Sequence, residues 1–408
     1  MIKKKYLLII CDGMGDLPIA ELGNKTPLEA ASTPNLDRLA QNGKLGLMYV
    51  LGKGIRPNSD EAHLVLLGYD LEKDYPGRGP IEAAGVGIVL QEGDVAIRAN
   101  LATIDQDLHV IDRRAGRIKD CSAFIKDLDG MEIDEVKFVL KPGTGYRVAL
   151  VMRGKGLSDQ ITNSDVHYAT EDKIVEHWEG LPVNVIKPLD DSVEAKFTAE
   201  VLQRFLERAH EVLEKNPHNG KRQENREVKG NYLLTRGPGY FKQLQSFKEK
   251  WGKTACCIAG AGLYKGLGVM AGMDLIEVSG ATGMPDTNVG AKIQAAREQL
   301  KNYDFVFVHI KPTDIFSEDG NWQGKREFIE KIDLAIDFLE ETGAVICVTA
   351  DHSTPCILKD HSADPVPLLI NRPGEFGDGI EKFSEPFCAK GSLGAIEGKD
   401  LMKLLFEY

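Results

Sequence analysis

The sequence is short of positive charge, of paired cysteines and of long apolar runs, and each shortage removes a class of function. Across 408 residues, 50 Lys and Arg stand against 62 Asp and Glu, a formal net charge of -12 at pH 7. Nucleic acid wants a basic surface, so no nucleic-acid partner is expected. The seven cysteines (Cys11, Cys121, Cys256, Cys257, Cys347, Cys356 and Cys388) form no CxxC pair and are odd in number. Several sit in apolar runs, such as residues 254–259 and 344–350, where a thiol packs as a small hydrophobe. Reduced cytosolic thiols fit that usage. No stretch approaches eighteen apolar residues, and the opening MIKKKYLLII is too short to span a bilayer and lacks a signal-cleavage pattern. A cytoplasmic protein with no membrane partner is expected. There is no internal repeat and no low-complexity tract.

What is present is an ordinary globular composition, 42% hydrophobic and 27% charged. The length exceeds what one hydrophobic core usually supports, so two domains are expected. Short β-rich apolar runs at 6–11, 45–51, 232–235, 254–259, 304–310, 344–350 and 366–370 alternate with helix-length amphipathic segments such as 33–42 and 325–342. That rhythm predicts an α/β fold with a mostly parallel sheet flanked by helices. The middle differs. Residues 94–104, 108–111, 136–140 and 147–153 alternate like antiparallel strands, 192–215 reads as a helix, and the polar stretch 216–230 reads as a surface loop. The expected design is a core of residues 1–80 and 228–408, interrupted by an α+β insertion at 81–227.

The densest chemistry lies in TADHSTPCILKDHSADPVP, residues 349–367. It carries Asp351-His352-Ser353 and Asp360-His361-Ser362, just after an apolar strand. Ligands gather beyond the carboxyl ends of parallel strands, and an acid beside a histidine suits a divalent cation with oxygen and nitrogen ligands. Two other strands run into acids in the same way, at Asp12 and at Lys311-Pro312-Thr313-Asp314. An acid there is also a common helix cap, but three such strand ends can converge on one crevice. Paired metals roughly 3.5–4 Å apart clamp the attacking and leaving oxygens of an in-line displacement. Ser59, in RPNSDEAH, precedes the apolar run 62–67. It reads either as a helix N-cap or as a nucleophile at a helix N-terminus, where a phosphate is stabilised.

The segments DGMGD, NSDEAHLVLLGYD, PGRGPIEAAGVGI, RRAGR, NYLLTRGPG, KPTD and ADHSTP with DHSADPVPLL occur in order from Asp12 to Leu369. Together they resemble the archaeal-type cofactor-independent phosphoglycerate mutases of the alkaline phosphatase superfamily. The resemblance implies an alkaline-phosphatase-like core interrupted by a mobile, substrate-binding cap. It implies interconversion of 3-phosphoglycerate and 2-phosphoglycerate through a phosphoserine, with two divalent metals, manganese foremost and magnesium, cobalt or zinc as substitutes. Ser59 would be the nucleophile. Asp12, Ser59, Asp351 and His352 would hold one metal, and Asp314 and His361 the other. Where the family pattern has a histidine four residues after Asp314, this chain has Glu318. A carboxylate can serve manganese as an oxygen ligand, with Asp319 as an alternative.

A substrate with a phosphate and a carboxylate calls for cations, and arginine grips both groups bidentately. Arg113, Arg114 and Arg117 crowd within five residues, which repulsion disfavours unless an anion visits. Arg147 follows a glycine-rich loop and Arg236 closes the run 232–235. The resemblance adds Lys265 as a phosphate-contacting lysine, and Asp165 and His167 as substrate-binding residues. His63 and His309 are expected only to pack, and His109, His177, His210 and His218 to be exposed. Two other readings stay open: a related phosphotransferase of homoserine-kinase type, and a degenerate non-catalytic descendant to which Glu318 gives weight.

Overall fold

The computed structural model describes residues 4–170, 173–175 and 177–406. The chain divides into two compact units, Met1–Tyr75 with Leu244–Tyr408, and Pro76–Gln243.

The first unit is built on an eight-stranded sheet. Its spatial order is Asp274–Leu275, Ala255–Ile258, Phe305–Ile310, Tyr6–Cys11, Val345–Thr349, Val366–Asn371, Gly43–Tyr49 and Gly394–Glu397. Every pairing is parallel except the two made by Val366–Asn371. All six residues of YLLIIC are buried, because a central parallel strand is covered on both faces and shows no polar alternation. The register sets Cys11 beside Ile310 and Ile10 beside Thr349. Asp12, Lys311 and the 350–352 segment therefore leave the sheet at one edge. The helix expected over 325–342 is Trp322–Ala335, opened by the Asn321 side chain, which accepts from Gly324 N; Leu339–Thr342 is a separate single turn.

The second unit carries an antiparallel sheet in the order Tyr232–Tyr240, Val95–Ile104, Arg147–Arg153, Val136–Pro142 and Glu132–Ile133, with Val110–Asp112 also against Val95–Ile104. The long helix Val193–Glu214, capped by Ser192, buries Val201, Leu202, Phe205 and Leu206 in the main core beneath one face. Phe205 stacks on Phe138 with ring centroids 3.9 Å apart. The helix Arg78–Gly85 packs Ala83 against Ala96, Ala149 and Val151 on the other face. A Cβ at Gly79 would stand 2.0 Å from Ala96 O, so only glycine allows that approach.

Three expectations change here. The Tyr232 strand does not join the core sheet; it pairs with Val95–Ile104 in the second unit, Arg236 opposite Arg98. The insertion is correspondingly wider than 81–227, since Arg78–Gly85 and Tyr232–Tyr240 both belong to it. Finally, 216–230 is not simply a loop. Pro217–Glu224 is helical, with Asn216 as its N-cap and Pro217 in the first turn, while buried Asn219 ties it to Leu213 O and Gly230. All seven cysteines are free and buried. No helix among the described residues is long and apolar enough to cross a membrane.

Candidate metal centre

Strand register delivers the acids. Asp12 follows the Tyr6 strand, Asp351 follows Val345–Thr349, and Asp314 sits in the first turn of the helix Pro312–Glu318 after the Phe305 strand. Gly13 has φ +63°, and a Cβ there would lie 2.6 Å from Thr354 Oγ1 and 2.8 Å from Asp314 Oδ1. Glycine thus lets the Asp12 loop pass against its neighbours. Asp12, Asp351 and His352 form one group able to hold a metal ion, and Asp314, His352 and His361 form a second, the ligand atoms of each lying within 4.8 Å of one another. All are buried apart from the slightly accessible His361.

Hydrogen bonds fix which nitrogen faces the cluster. His361 Nδ1 lies 2.9 Å from Pro57 O, which can only accept, so Nδ1 carries the proton and Nε2 points at Asp314 Oδ1, 3.7 Å away. Thr354 Oγ1 donates to Asp314 Oδ1 at 2.8 Å, and therefore accepts from His352 Nδ1 at 2.9 Å. That leaves His352 Nε2 3.4 Å from Asp12 Oδ1, 3.2 Å from Asp351 Oδ2 and 3.2 Å from Ser59 Oγ. Orienting a ligating imidazole through its second nitrogen is a common device of metal sites.

The cluster is rich in negative charge. Lys311 Nζ lies 3.1 Å from Asp12 Oδ2 and 2.5 Å from Asp314 Oδ2, one ammonium among three carboxylates. Burial, reinforced by Asp351, raises the Asp12 carboxyl to about 6. His352 is buried too, yet Asp351, Asp12 and Asp314 outweigh that and raise it to about 9. Asp314 is held well below the carboxylate range because Lys311, His352 and His361 overcome its burial. Asp351 Oδ2 is buried with no hydrogen-bond donor. An orphan carboxylate oxygen and an imidazole that would take up a proton in its place are what a divalent cation satisfies, so the donor set fits a metal pair.

Ser59 is not the helix cap. Asn58 occupies that position, Ser59 is the first residue of Ser59–Leu66, and its hydroxyl turns to His352. Glu318 closes its short helix four residues after Asp314, on the same side of the turn, but stands outside both ligand groups. It is accessible to solvent. The surrounding protein and then Asp314 nevertheless raise its carboxyl to about 7. Lys265 is turned to Glu277, both of whose oxygens lie 2.9 Å from its Nζ.

The arginines sit in the second unit. Arg113 does not wait for an anion as expected: it is buried and grips Asp165, Nε to Oδ1 at 2.7 Å and Nη2 to Oδ2 at 2.5 Å. Arg114 and Arg117 remain exposed, so the predicted three-guanidinium cluster is divided. Arg114 and Arg147 lie against the Tyr146 ring, at 5.8 and 5.3 Å. Arg236 stacks on Tyr168 at 4.0 Å. His167 Nδ1 donates to Val175 O at 2.9 Å, and burial followed by Arg113 lowers its pKa.

Sequence reasoning passed over a layer behind the acids. The Tyr264 hydroxyl donates to Asp12 Oδ2, His309 Nε2 meets the same oxygen at 3.0 Å, and the two rings stack with centroids 3.3 Å apart. His63 Nδ1 donates to Ser59 O at 2.6 Å, and the same nitrogen lies 3.6 Å from Asp351 Oδ2. Neither histidine merely packs. A histidine in an otherwise apolar strand, two residues before the strand-end Lys311, was the available signal.

Carboxylates of this density at the carboxyl edge of a parallel sheet suit a divalent metal pair, and with a serine hydroxyl within their reach the arrangement is of the kind that phosphoryl-transfer enzymes use. The family model for 2,3-bisphosphoglycerate-independent phosphoglycerate mutase matches residues 40–219. The chain is 45% identical to the enzyme named 2,3-bisphosphoglycerate-independent phosphoglycerate mutase 1 of Methanocaldococcus jannaschii, over 100% of this chain and 98% of that one. It is 46% identical to the Archaeoglobus fulgidus protein of the same name, over 98% and 97%. Among solved structures, the cofactor-independent phosphoglycerate mutase of Thermoplasma acidophilum aligns with a TM-score of 0.72 at 38% identity, over 99% of each chain. The PH0037 protein of Pyrococcus horikoshii aligns at 0.83 and 35%, over 100% and 97%. The chain belongs to the 2,3-bisphosphoglycerate-independent phosphoglycerate mutase family.

Proposed function

We propose that the chain interconverts 3-phosphoglycerate and 2-phosphoglycerate by way of a phosphoserine at Ser59, as a cytoplasmic enzyme of glycolysis and gluconeogenesis. The observation that carries the reading is Ser59 Oγ, free of any capping role and 3.2 Å from His352 Nε2 beside Asp12 and Asp351. Full-length relatives that carry the mutase name favour it over a homoserine-kinase-like activity.

Asp12, Ser59, Asp351 and His352 would hold one divalent metal, and Asp314, Glu318 and His361 the second, with manganese first among the candidates. When bound, such metals lower the pKa of a coordinated hydroxyl and neutralise charge developing on the phosphoryl oxygens. The protein contributes the rest. Ser59 Oγ gives up its proton and attacks phosphorus as the bond from phosphorus to the substrate oxygen breaks and that oxygen takes up a proton. The other hydroxyl of the same glycerate then gives up its proton and attacks the phosphoserine, breaking the bond from phosphorus to Ser59 Oγ, which is reprotonated. The N-terminus of Ser59–Leu66 offers backbone N–H groups to the phosphoserine. Lys311 keeps Asp12 and Asp314 ionised as ligands. Tyr264 and His309 hold the Asp12 carboxylate in one orientation, and His63 holds the Ser59 backbone. Arg113, Arg114, Arg117, Arg147, Asp165 and His167 remain the residues proposed to bind substrate, with Arg113 and Asp165 acting as a unit, and Lys265 and Arg236 are proposed to join Ser59 as catalytic residues. The test is an enolase-coupled assay on purified protein with 3-phosphoglycerate and manganese, together with trapping of the phosphoenzyme. Absence of turnover in protein carrying two metals per chain overturns the reading.

A further inference from the structure

The turn Arg113-Arg114-Ala115-Gly116-Arg117 in the second unit adopts a backbone that its own residues resist. Ala115, Gly116 and Arg117 all have positive φ, at 44°, 68° and 55°. Glycine takes that region freely, but Ala115 and Arg117 carry a Cβ, for which left-handed backbone is unfavourable. Such strain persists only where the surroundings over-determine it, and it concentrates where a site is shaped in advance.

The surroundings here are specific. Asp112, which ends the strand Val110–Asp112, accepts from Arg114 N at 2.7 Å through Oδ1 and from Gly116 N at 3.1 Å through Oδ2. Arg222, on the helix Pro217–Glu224, donates from Nη2 to Ala115 O at 2.8 Å. Its Nε donates to Val228 O at 2.8 Å and its Nη1 pairs with Glu227 Oε2 at 3.0 Å, so the guanidinium plane is fixed on all sides. A Cβ at Gly116 would stand 3.1 Å from Val228 Cγ2 and 3.4 Å from Arg222 Nη2, so the turn rests against those two residues. The helix that carries Arg222 is itself anchored by Asn219 to Leu213 O and Gly230. Ala115 is buried, while Arg114 before it and Arg117 after it are exposed. A turn that served only as a connection could relax to right-handed backbone; this one is held by a carboxylate and a guanidinium from two different elements.

We propose that Arg222 and Asp112 are positioning residues: they hold the 113–117 turn left-handed in advance, so that Arg114 and Arg117 are set for an anionic substrate before it arrives. That the anion is phosphoglycerate rests on the mutase reading; the brace on the turn does not. Where the brace is lost, only the fraction of molecules still in the held conformation binds, and the apparent dissociation constant rises by the reciprocal of that fraction.

The test is a rescue, made on the full chain loaded with manganese. Arg222→Met keeps the side-chain stem against Gly116 and removes every donor. It raises KM for 3-phosphoglycerate at least about tenfold, as fits the loss of a hydrogen bond from a charged group, and leaves kcat nearly unmoved. Ala115→Gly alone binds as the parent does. In the double variant Arg222→Met/Ala115→Gly the turn depends less on its brace, and KM falls back at least about threefold, the scale of relieving one strained alanine. Hydrogen exchange of the 112–118 peptide reads the turn without substrate, and Arg222→Met speeds it. Should Arg222→Met fail to fold by circular dichroism, Asp112→Asn, which gives up one of the two accepting oxygens, carries the same readouts and the same rescue. Unchanged exchange in a folded variant, unchanged KM where the turn has loosened, or a raised KM that Ala115→Gly does not lower, each overturns the brace. Faster exchange in Arg222→Met, alongside a parent protein that never turns over phosphoglycerate, would overturn the mutase reading and leave the brace standing.

Discussion

Ser59 Oγ and His352 Nε2 lie 3.2 Å apart although 293 positions separate the two residues in the chain. Since Asn58 holds the cap position, removing the Ser59 hydroxyl leaves the helix start intact. Ser59→Ala is therefore expected to abolish turnover and phosphoenzyme formation with a stability change below about 1 kcal/mol, less than a lost cap would cost. Assay, acid-quench labelling and a denaturant melt check it together. Appreciable mutase activity in folded Ser59→Ala would remove Ser59 as the nucleophile.

Glu318 stands one helical turn from Asp314, with its carboxyl raised to about 7 by its surroundings and then by Asp314. In the ligand role proposed for it, Glu318 would favour manganese or magnesium over zinc, because hard cations prefer oxygen. Glu318→Ala is expected to lower metal stoichiometry from two towards one per chain, and Glu318→His to restore two while raising zinc affinity. Metal analysis after dialysis reads both. Two metals retained in Glu318→Ala would make Glu318 a bystander.

The centre's pH response has a definite sign. His352, raised to about 9, binds a proton more tightly folded than unfolded. Its contribution to stability is fully present below about 6.5, its ordinary value, and is lost as pH rises towards 9. Chelated protein is expected to melt at falling temperature between pH 6.5 and 9. Manganese, which replaces that proton, restores the loss most at the alkaline end. A chelated His352→Asn variant should show a flatter profile; an equally steep one would assign the effect elsewhere.

Arg113 and Asp165 form a buried two-pronged pair, so replacing Arg113 strands a carboxylate. Arg113→Ala is expected to destabilise by about 3–5 kcal/mol, beyond any change in KM. Arg114→Ala, at an exposed position, is expected to leave stability within about 0.5 kcal/mol. Thermal melts of the two variants separate the roles.

Beneath the acidic loops, Lys325 is fully buried, with Nζ 2.8 Å from Asp16 Oδ2, 3.2 Å from Gly15 O and 3.1 Å from Thr354 O. It ties the Asp12 loop to the Asp351 loop. Lys325→Met leaves Asp16 buried without its cation and is expected to cost about 3–5 kcal/mol. Weaker manganese binding should accompany that loss in protein that is still folded. Chelator competition at low temperature measures it.

The central strands were legible because a fully buried parallel strand is one unbroken apolar run, and Asp12, Asp314 and Asp351 were legible because Asp12 and Asp351 directly follow such runs and Asp314 comes four residues after another. Pairing over long sequence distance was not. Nothing local tells Tyr232–Tyr240 that its partner is Val95–Ile104, or Arg113 that Asp165 awaits 52 residues on. His309 reads as core until the fold brings it to Asp12, 297 positions away. The helix Pro217–Glu224 escaped notice because Asn219 holds it in place, with no apolar stripe of the usual kind.

The Tyr6 strand, paired only with Phe305–Ile310 and Val345–Thr349, also sets a timetable. As the chain leaves the ribosome, YLLIIC has no partner until some 300 residues have followed it, whereas Pro76–Gln243 is contiguous and complete long before. Distant pairings carry a large loop-closure cost, and domains generally fold as units during synthesis. The inserted unit is thus expected to become protease-resistant first on a stalled nascent chain. Asp12 meets Asp314, Asp351 and His352, the acids and histidine grouped with it, only after some 300 further residues have been made. Protection of the Tyr6 segment on chains halted before Phe305 would contradict that order.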